Sequence, residues 1–163
     1  MEIIAISFLP YLINKVKIAM SNIAEPKIAD TTVTHLPNLH AGIKLPYPKY
    51  DRRKITEGIV HIGVGGFHRA HQALYAEELI RQHDIQQWGI CGVGIMPSDL
   101  QLHQALNQQS CLYTLVQRDN DGFSGNIIGS LTSYLFGYQD PQSVFAKLAA
   151  PECKLVTLTA TEG

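Results

Sequence analysis

Residues 59–72 read I-V-H-I-G-V-G-G-F-H-R-A-H-Q. Gly63 and Gly65 stand where a G-x-G-x-x-G phosphate-binding turn has its first two glycines, and His68, followed at once by Arg69, takes the third position. In such a turn Gly63 allows the sharp reversal and Gly65 lets the backbone approach a pyrophosphate with no Cβ in the way. Gly66 adds clearance. The following helix would direct its unpaired N–H groups and positive end at the phosphates. Arg69, in the first turn, can contribute a charge-assisted hydrogen bond. A third glycine normally lets helix and strand pack closely. His68 cannot do so pointing inward, so either the helix is shifted or the imidazole faces the ligand. A lone G-x-G is a weak signal; a strand before it and a helix after it favour a nucleotide site over a purely structural turn.

A dinucleotide site also needs a carboxylate for the adenosine ribose hydroxyls. Asp99 is the first one after W-G-I-C-G-V-G at 88–94, somewhat later than the usual spacing of about 20 residues. It also suits the first turn of a helix opened by Pro97, and the two roles are compatible. No Lys or Arg lies between Gln82 and Gln117, so nothing there would hold a 2′-phosphate, and NAD is favoured over NADP. A methyl-donor-binding α/β enzyme could use the same glycine turn. His68 and His71 have a spacing that could chelate a metal, but no nearby carboxylate or cysteine completes a ligand set. Asp119, Asp121 and Gly122 read as a hairpin turn, because the remaining calcium ligands are missing. His61 reads as a hydrogen-bonded sheet histidine. Cys91, Cys111 and Cys153 form no C-x-x-C pair and read as buried, reduced thiols of a cytoplasmic protein.

The elements that would position the turn are legible from the pattern. Ile59 to Val64 is a short apolar run ending in glycine, as in a buried parallel strand. Phe67 to Gln82 lacks Gly and Pro, and Ala70, Ala73, Leu74, Ala76 and Ile80 form a helical face of mostly small residues. Trp88 to Val93 predicts a second strand, and Pro97 opens a helix to about Gln108. A hairpin follows, with Leu112–Gln117 out, turn residues at 119–122, and Ile127–Phe136 back. Asp140 caps a helix through Leu148, and Lys154–Thr159 predicts a final buried strand. This order implies a Rossmann-like, doubly wound α/β sheet with an inserted β-hairpin.

Before Gly58 the character differs. Residues 20–57 hold Pro26, Pro37, Pro46 and Pro48 and read as an extended arm wrapping a neighbouring surface. Residues 1–19 read as an apolar extension, too short and too interrupted at Pro10 to span a bilayer, and Met20 is expected to be the natural start. Apolar residues at 45% support a real core, while a net charge of −1 gives no attraction to nucleic acid or anionic lipid. The last residues, Thr161-Glu162-Gly163, fall where a ligand site should begin. A truncated domain is therefore expected, with an apolar edge around 154–160 open to association.

With these segments placed, the chain resembles the polyol-specific long-chain dehydrogenases, which include mannitol 2-dehydrogenase and the fructuronate, tagaturonate and arabinitol enzymes. The resemblance rests on I-V-H-I-G-V-G-G-F-H-R-A-H-Q at 59–72, W-G-I-C-G-V-G at 88–94, L-Y-T-L-V-Q-R at 112–118, I-I-G-S-L at 127–131 and L-V-T-L-T-A-T-E-G at 155–163. It covers most of residues 43–163, and G-V-G-G-F-H-R-A-H is the family's own variant of the fingerprint. It implies hydride transfer between NAD and a secondary alcohol of a sugar alcohol or sugar acid, mannitol to fructose being the leading example. It also implies that Ile62, Gly63, Val64, Gly65, Gly66, Phe67, His68 and Arg69 line the cofactor and that Asp99 holds the adenosine ribose. Glu162 would lie near the nicotinamide as an accessory proton-transfer residue. The family's catalytic K-x-x-x-x-N-x-x-H pattern, which supplies the base and the oxygen-polarising groups, does not occur in these 163 residues. The chain alone is therefore expected to bind cofactor without turnover. The rival reading is a non-catalytic binding module completed by a partner chain.

Overall fold

The computed structural model describes residues 2–6, 45–119 and 122–160. Its centre is a four-stranded parallel sheet. The strands are β2 (Ile59–Ile62), β3 (Ile90–Gly94), β6 (Leu131–Phe136) and β7 (Leu155–Leu158), in the order β6-β3-β2-β7. β3 is buried throughout and β2 is buried over Ile59, Val60 and His61, each strand lying between two others, as expected of central parallel strands.

Alternation along β2 splits the core into two layers. Ile59 packs with Ala70, Ala73 and Ala76 on one face, whereas Val60 packs with Cys91, Val93 and Val144 on the other. The first face carries α1 (Gly66–Ala70) and α2 (Gln72–His83), and α3 (Leu100–Gln108) adds Leu106 to the same layer. The second face carries α4 (Pro141–Leu148). Helices on both faces of a parallel sheet make the fold a Rossmann-type, doubly wound one. Asp140 caps α4 by accepting from the Ser143 amide at 3.2 Å, and Pro141 sits at the first helical position, where its missing N–H costs nothing.

A second, antiparallel sheet has the order β1-β4-β5, with β1 (Glu2–Ile6), β4 (Tyr113–Asp119) and β5 (Gly122–Ile128). The hairpin closes where Asp119 faces Gly122. Residues 2–6, assigned from sequence to an apolar extension, pair with β4, Ile4 opposite Val116. Residues 7–44, which include Met20 and most of the proline-containing arm, lie outside the described residues.

Four expectations need correction. The helix expected over Phe67–Gln82 is two helices that meet at His71, whose φ of −120° and ψ of −79° are not helical. The change of course falls three residues after His68, whose ring fills the space between α1 and β2. The strand expected over Trp88–Val93 begins later, at Ile90. The return strand expected over Ile127–Phe136 is two strands in two sheets, parted at Gly129 and Ser130. Finally, β7 is not buried: Leu155, Val156 and Leu158 are 43%, 49% and 66% exposed, because β7 pairs only with β2 among the described strands.

The corner at Gly129–Ser130 leaves backbone groups outside both ladders, and buried side chains take them up. Arg52 donates from Nε to the Gly129 carbonyl at 3.0 Å and from Nη2 to Leu131 at 2.9 Å. Glu77 Oε2 accepts from the Gly129 amide at 2.8 Å and from the Tyr50 hydroxyl at 2.6 Å. Ser130 Oγ donates to the Ala73 carbonyl at 2.6 Å. Burial raises the Glu77 carboxyl above its ordinary range against these donors, and burial lowers the Arg52 guanidinium. Glu57, just before β2, pairs with Lys147 of α4 and accepts from the Thr132 hydroxyl at 2.7 Å.

Candidate nucleotide site at the sheet's switch point

The chain leaves β2 towards β3 and β6 on one side and returns through α4 to β7 on the other. The carboxyl ends of β2 and β7 therefore form the point where strand order reverses, the place where open α/β sheets bind ligands. Gly63 follows β2 there with a φ of 86°, in the left-handed region that an L side chain enters only with strain. A Cβ on Gly63 would lie 3.0 Å from the Thr159 carbonyl oxygen, so the turn is also tight against the end of β7. Gly65 and Gly66 differ. Among the described residues, a Cβ on Gly65 would meet only the Gly63 oxygen at 4.0 Å, and one on Gly66 would meet nothing within 4 Å. Gly65 is moreover extended, with φ −102° and ψ −171°, a conformation any residue adopts. Gly63 is therefore needed by the fold, whereas no described residue occupies the space that a side chain at 65 or 66 would take. Their bareness leaves room beside the backbone.

The first helical hydrogen bond of α1 runs from the Arg69 amide to the Gly65 carbonyl at 3.2 Å, so the amides of Gly66, Phe67 and His68 precede the ladder. Phe67 projects outward and is 71% exposed. Ile62 is half-buried on the α4 face, and Val64 is buried on the α1 face. Arg69 folds back: its Nε donates to the Gly65 carbonyl at 3.2 Å and its guanidinium lies 6.0 Å from the Tyr113 ring centroid. Its Nη1 is buried with no partner among the described residues, and burial lowers its pKa. The Tyr113 hydroxyl donates to the Arg69 carbonyl at 2.6 Å, fixing α1 to β4.

His68 points inward. It is 1% exposed, and its ring stacks on His61 with centroids 3.7 Å apart and planes 13° apart. Burial, with His61 and Arg69 nearby, pushes His68 down to about 3, so it is neutral in the folded protein. His61 is buried and hydrogen-bonded, as its strand position implied. Its Nδ1 meets Thr157 Oγ1 at 2.7 Å, and its Nε2 meets the Gly63 carbonyl at 3.2 Å and Thr159 Oγ1 at 3.1 Å. Thr157 in turn contacts Gln72 Oε1 at 3.1 Å. Thr157, Thr159 and Gln72 were not singled out from sequence. The alternation in L-V-T-L-T puts both threonines on one face, but only the pairing of β7 beside β2 brings them to His61.

Asp99 lies beyond the end of β3, in a 3-10 turn (Pro97–Asp99) that leads into α3. Its Oδ2 accepts from the Met96 amide at 2.9 Å, so it caps the turn, the structural role foreseen for it. Ile95, Met96 and Leu100 around it are 51%, 57% and 40% exposed, an apolar surface at the end of β3. The structure thus gathers Gly63, Gly65, Gly66 and the start of α1 at the carboxyl end of β2, with Asp99 beyond the end of the next strand. Glu162 lies outside the described residues.

A family model described as the mannitol dehydrogenase Rossmann domain matches residues 57–163. The chain belongs to the mannitol dehydrogenase family. Among its relatives, the mannitol 2-dehydrogenase of Aspergillus fumigatus is 48% identical over 122 residues, covering 74% of this chain and 24% of that protein. Mannitol dehydrogenase DSF1 of Saccharomyces cerevisiae is 44% identical over 118 residues, 72% of this chain and 24% of that one. A solved Pseudomonas fluorescens mannitol 2-dehydrogenase, in ternary complex with NAD and D-mannitol, superposes with a TM-score of 0.68. It is 40% identical over 71% of this chain and 24% of its own. A D-sorbitol dehydrogenase in substrate-free form also gives 0.68, at 35% identity, over 73% of this chain and 25% of that one. The chain thus spans about a quarter of the length of the mannitol dehydrogenases it matches. No helix among the described residues is long and apolar enough to cross a membrane.

Proposed function

We propose that this chain is the NAD-binding part of a mannitol dehydrogenase-type oxidoreductase, which oxidises a secondary alcohol of a sugar alcohol, D-mannitol to D-fructose in the leading case. The observation that carries the reading is the backbone at Gly65 and Gly66, at the switch point between β2 and β7, which no described residue crowds. The family's NAD complex supports the choice of ligand.

NAD supplies the hydride acceptor. The chain's own residues bind and orient it. The amides of Gly66, Phe67 and His68 face the diphosphate, and Arg69 lends its positive charge to the same corner. Asp99, with Oδ2 committed to the Met96 amide, offers its other oxygen to the adenosine ribose hydroxyls. Ile95, Met96 and Leu100 give the adenine an apolar surface. Glu162 is assigned the accessory proton-transfer role. The open edge of β7, with Leu155, Val156 and Leu158 exposed, is the surface offered for association. Cytoplasmic localisation completes the proposal.

Isothermal titration of the 163-residue chain with NAD, NADP and S-adenosylmethionine tests it. NAD binding tighter than NADP binding is expected, with no mannitol oxidation by this chain alone. Binding of the methyl donor without NAD would reject the proposal.

A further inference from the structure

Resting on the NAD reading, we propose that His61 is a positioning residue for the cofactor: its imidazole braces both walls of the switch-point crevice, and the stacked His68 ring holds the brace in place. The geometry is specific. One nitrogen, Nε2, lies 3.2 Å from the Gly63 carbonyl and 3.1 Å from the Thr159 hydroxyl, and the other, Nδ1, lies 2.7 Å from the Thr157 hydroxyl. Gly63 forms the phosphate turn and the threonines close β7. A single ring therefore ties the turn after β2 to the strand across the reversal.

The Gly63 carbonyl can only accept, so Nε2 carries the proton; Nδ1 then takes the single Thr157 hydroxyl proton, which requires the Gln72 amide turned so that its NH2 group, not Oε1, faces Thr157. In that tautomer His61 sets the plane of the peptide after Gly63, where φ is 86°. That peptide leads directly to Gly65 and the free amides of α1.

His68 contributes differently. Both of its nitrogens are buried with no hydrogen-bond partner among the described residues, an arrangement that costs free energy. A side chain kept only for packing would do better as an apolar residue. What the ring supplies is a flat face, 3.7 Å from His61 and nearly parallel to it. It covers one face of the His61 ring. Among the described residues the other groups around the pair are Arg69, the hydroxyls of Thr157 and Thr159, and the amide of Gln72; the Arg69 cation disfavours a proton on His68. The residue that replaces the third fingerprint glycine thereby takes over its task of fixing helix to strand, through a stack instead of a close approach.

Nuclear magnetic resonance and NAD titration on the 163-residue chain test this. His61→Phe keeps the stack and deletes the brace. The Gly63, Gly65 and Gly66 amide resonances should move in the ligand-free chain, and Kd for NAD should rise about tenfold or more. His68→Gly, which restores the ordinary fingerprint, should weaken NAD to a similar degree, and His68→Phe should recover affinity to within about threefold of wild type. Should His61→Phe fail to fold, Thr159→Val removes one arm of the brace at constant shape and should move the same glycine resonances. Imidazole 15N shifts should show His61 as the Nε2–H tautomer. Unmoved glycine resonances in the His61 or Thr159 variant, or a His68→Gly chain that binds NAD as wild type does, would overturn the inference. A wild-type chain that binds no NAD while its glycine resonances respond as described would refute the cofactor reading and leave the brace standing.

Discussion

Replacing Gly65 with alanine separates what the glycine turn does for the fold from what it does for a ligand. The new methyl would stand 4.0 Å from the Gly63 oxygen and near nothing else described, at a φ and ψ that alanine adopts freely. Its cost to folding is confined to the poorer helix cap that alanine makes, below about 1 kcal/mol. In the bound state the same methyl stands where a diphosphate has to meet the backbone. Forcing such a group into a filled contact costs about 1–3 kcal/mol, which weakens NAD roughly 5- to 150-fold. Gly63→Ala is the reference. There the left-handed φ of 86° and the 3.0 Å approach to the Thr159 carbonyl act on the protein itself, and folding stability should fall by about 1–3 kcal/mol. Urea denaturation and calorimetric NAD titration of the two variants give four numbers. Gly65→Ala is expected to be stable but weak in binding, and Gly63→Ala to be unstable. A Gly65→Ala chain that binds NAD as tightly as wild type, or that loses as much stability as Gly63→Ala, would refute the reasoning.

Three further outcomes are expected. Tyr50→Phe deletes one of the two donors that reach buried Glu77 Oε2; stability measured by urea should drop by about 1–3 kcal/mol. Burial holds the folded His68 pKa at about 3, below the ordinary histidine value of 6.5, so the unfolded chain takes up this proton first. Its stabilising share is complete above pH 6.5 and is lost as pH falls towards 3, about 2 kcal/mol by pH 5; His68→Phe should flatten that part of the urea-stability profile, and an unaltered slope would contradict the burial of a neutral ring. Cys91 and Cys111 are buried, with thiols pushed up to about 11 and about 12. At neutral pH iodoacetamide should therefore label the half-buried Cys153 alone in the native chain and all three thiols in urea, as read by mass spectrometry.

The parts of the fold that local pattern controls were legible in the sequence. The apolar run Ile59–Val64, the Pro97 turn into a helix and the Asp140 cap all rest on neighbours within a few residues; the turn and the cap formed as expected, and the strand formed over Ile59–Ile62, two residues shorter than the run. Failures came where distant residues decide. Nothing local in I-I-G-S-L says that Gly129 and Ser130 end one sheet and start another; that depends on Arg52 and Glu77, 77 and 52 residues earlier in the chain than Gly129. K-L-V-T-L-T reads as a buried strand because its residues are apolar, but exposure is set by what lies alongside. At the site, the spacing of Gly63 and Gly65 identified the turn. The direction of His68 was undecidable between two options until its ring was seen against His61.

The Tyr50 and Arg52 contacts bear on where this domain can be cut. Sequence pattern and the family match both place its beginning near residue 57, yet the carbonyls of Gly129 and Leu131 and the carboxyl of Glu77 find their partners at positions 50 and 52. A recombinant piece begun at the apparent boundary would strip a buried cation and a phenol from beneath the sheet junction. Expression trials should accordingly begin upstream of Pro46, whose carbonyl also receives the Ile127 amide.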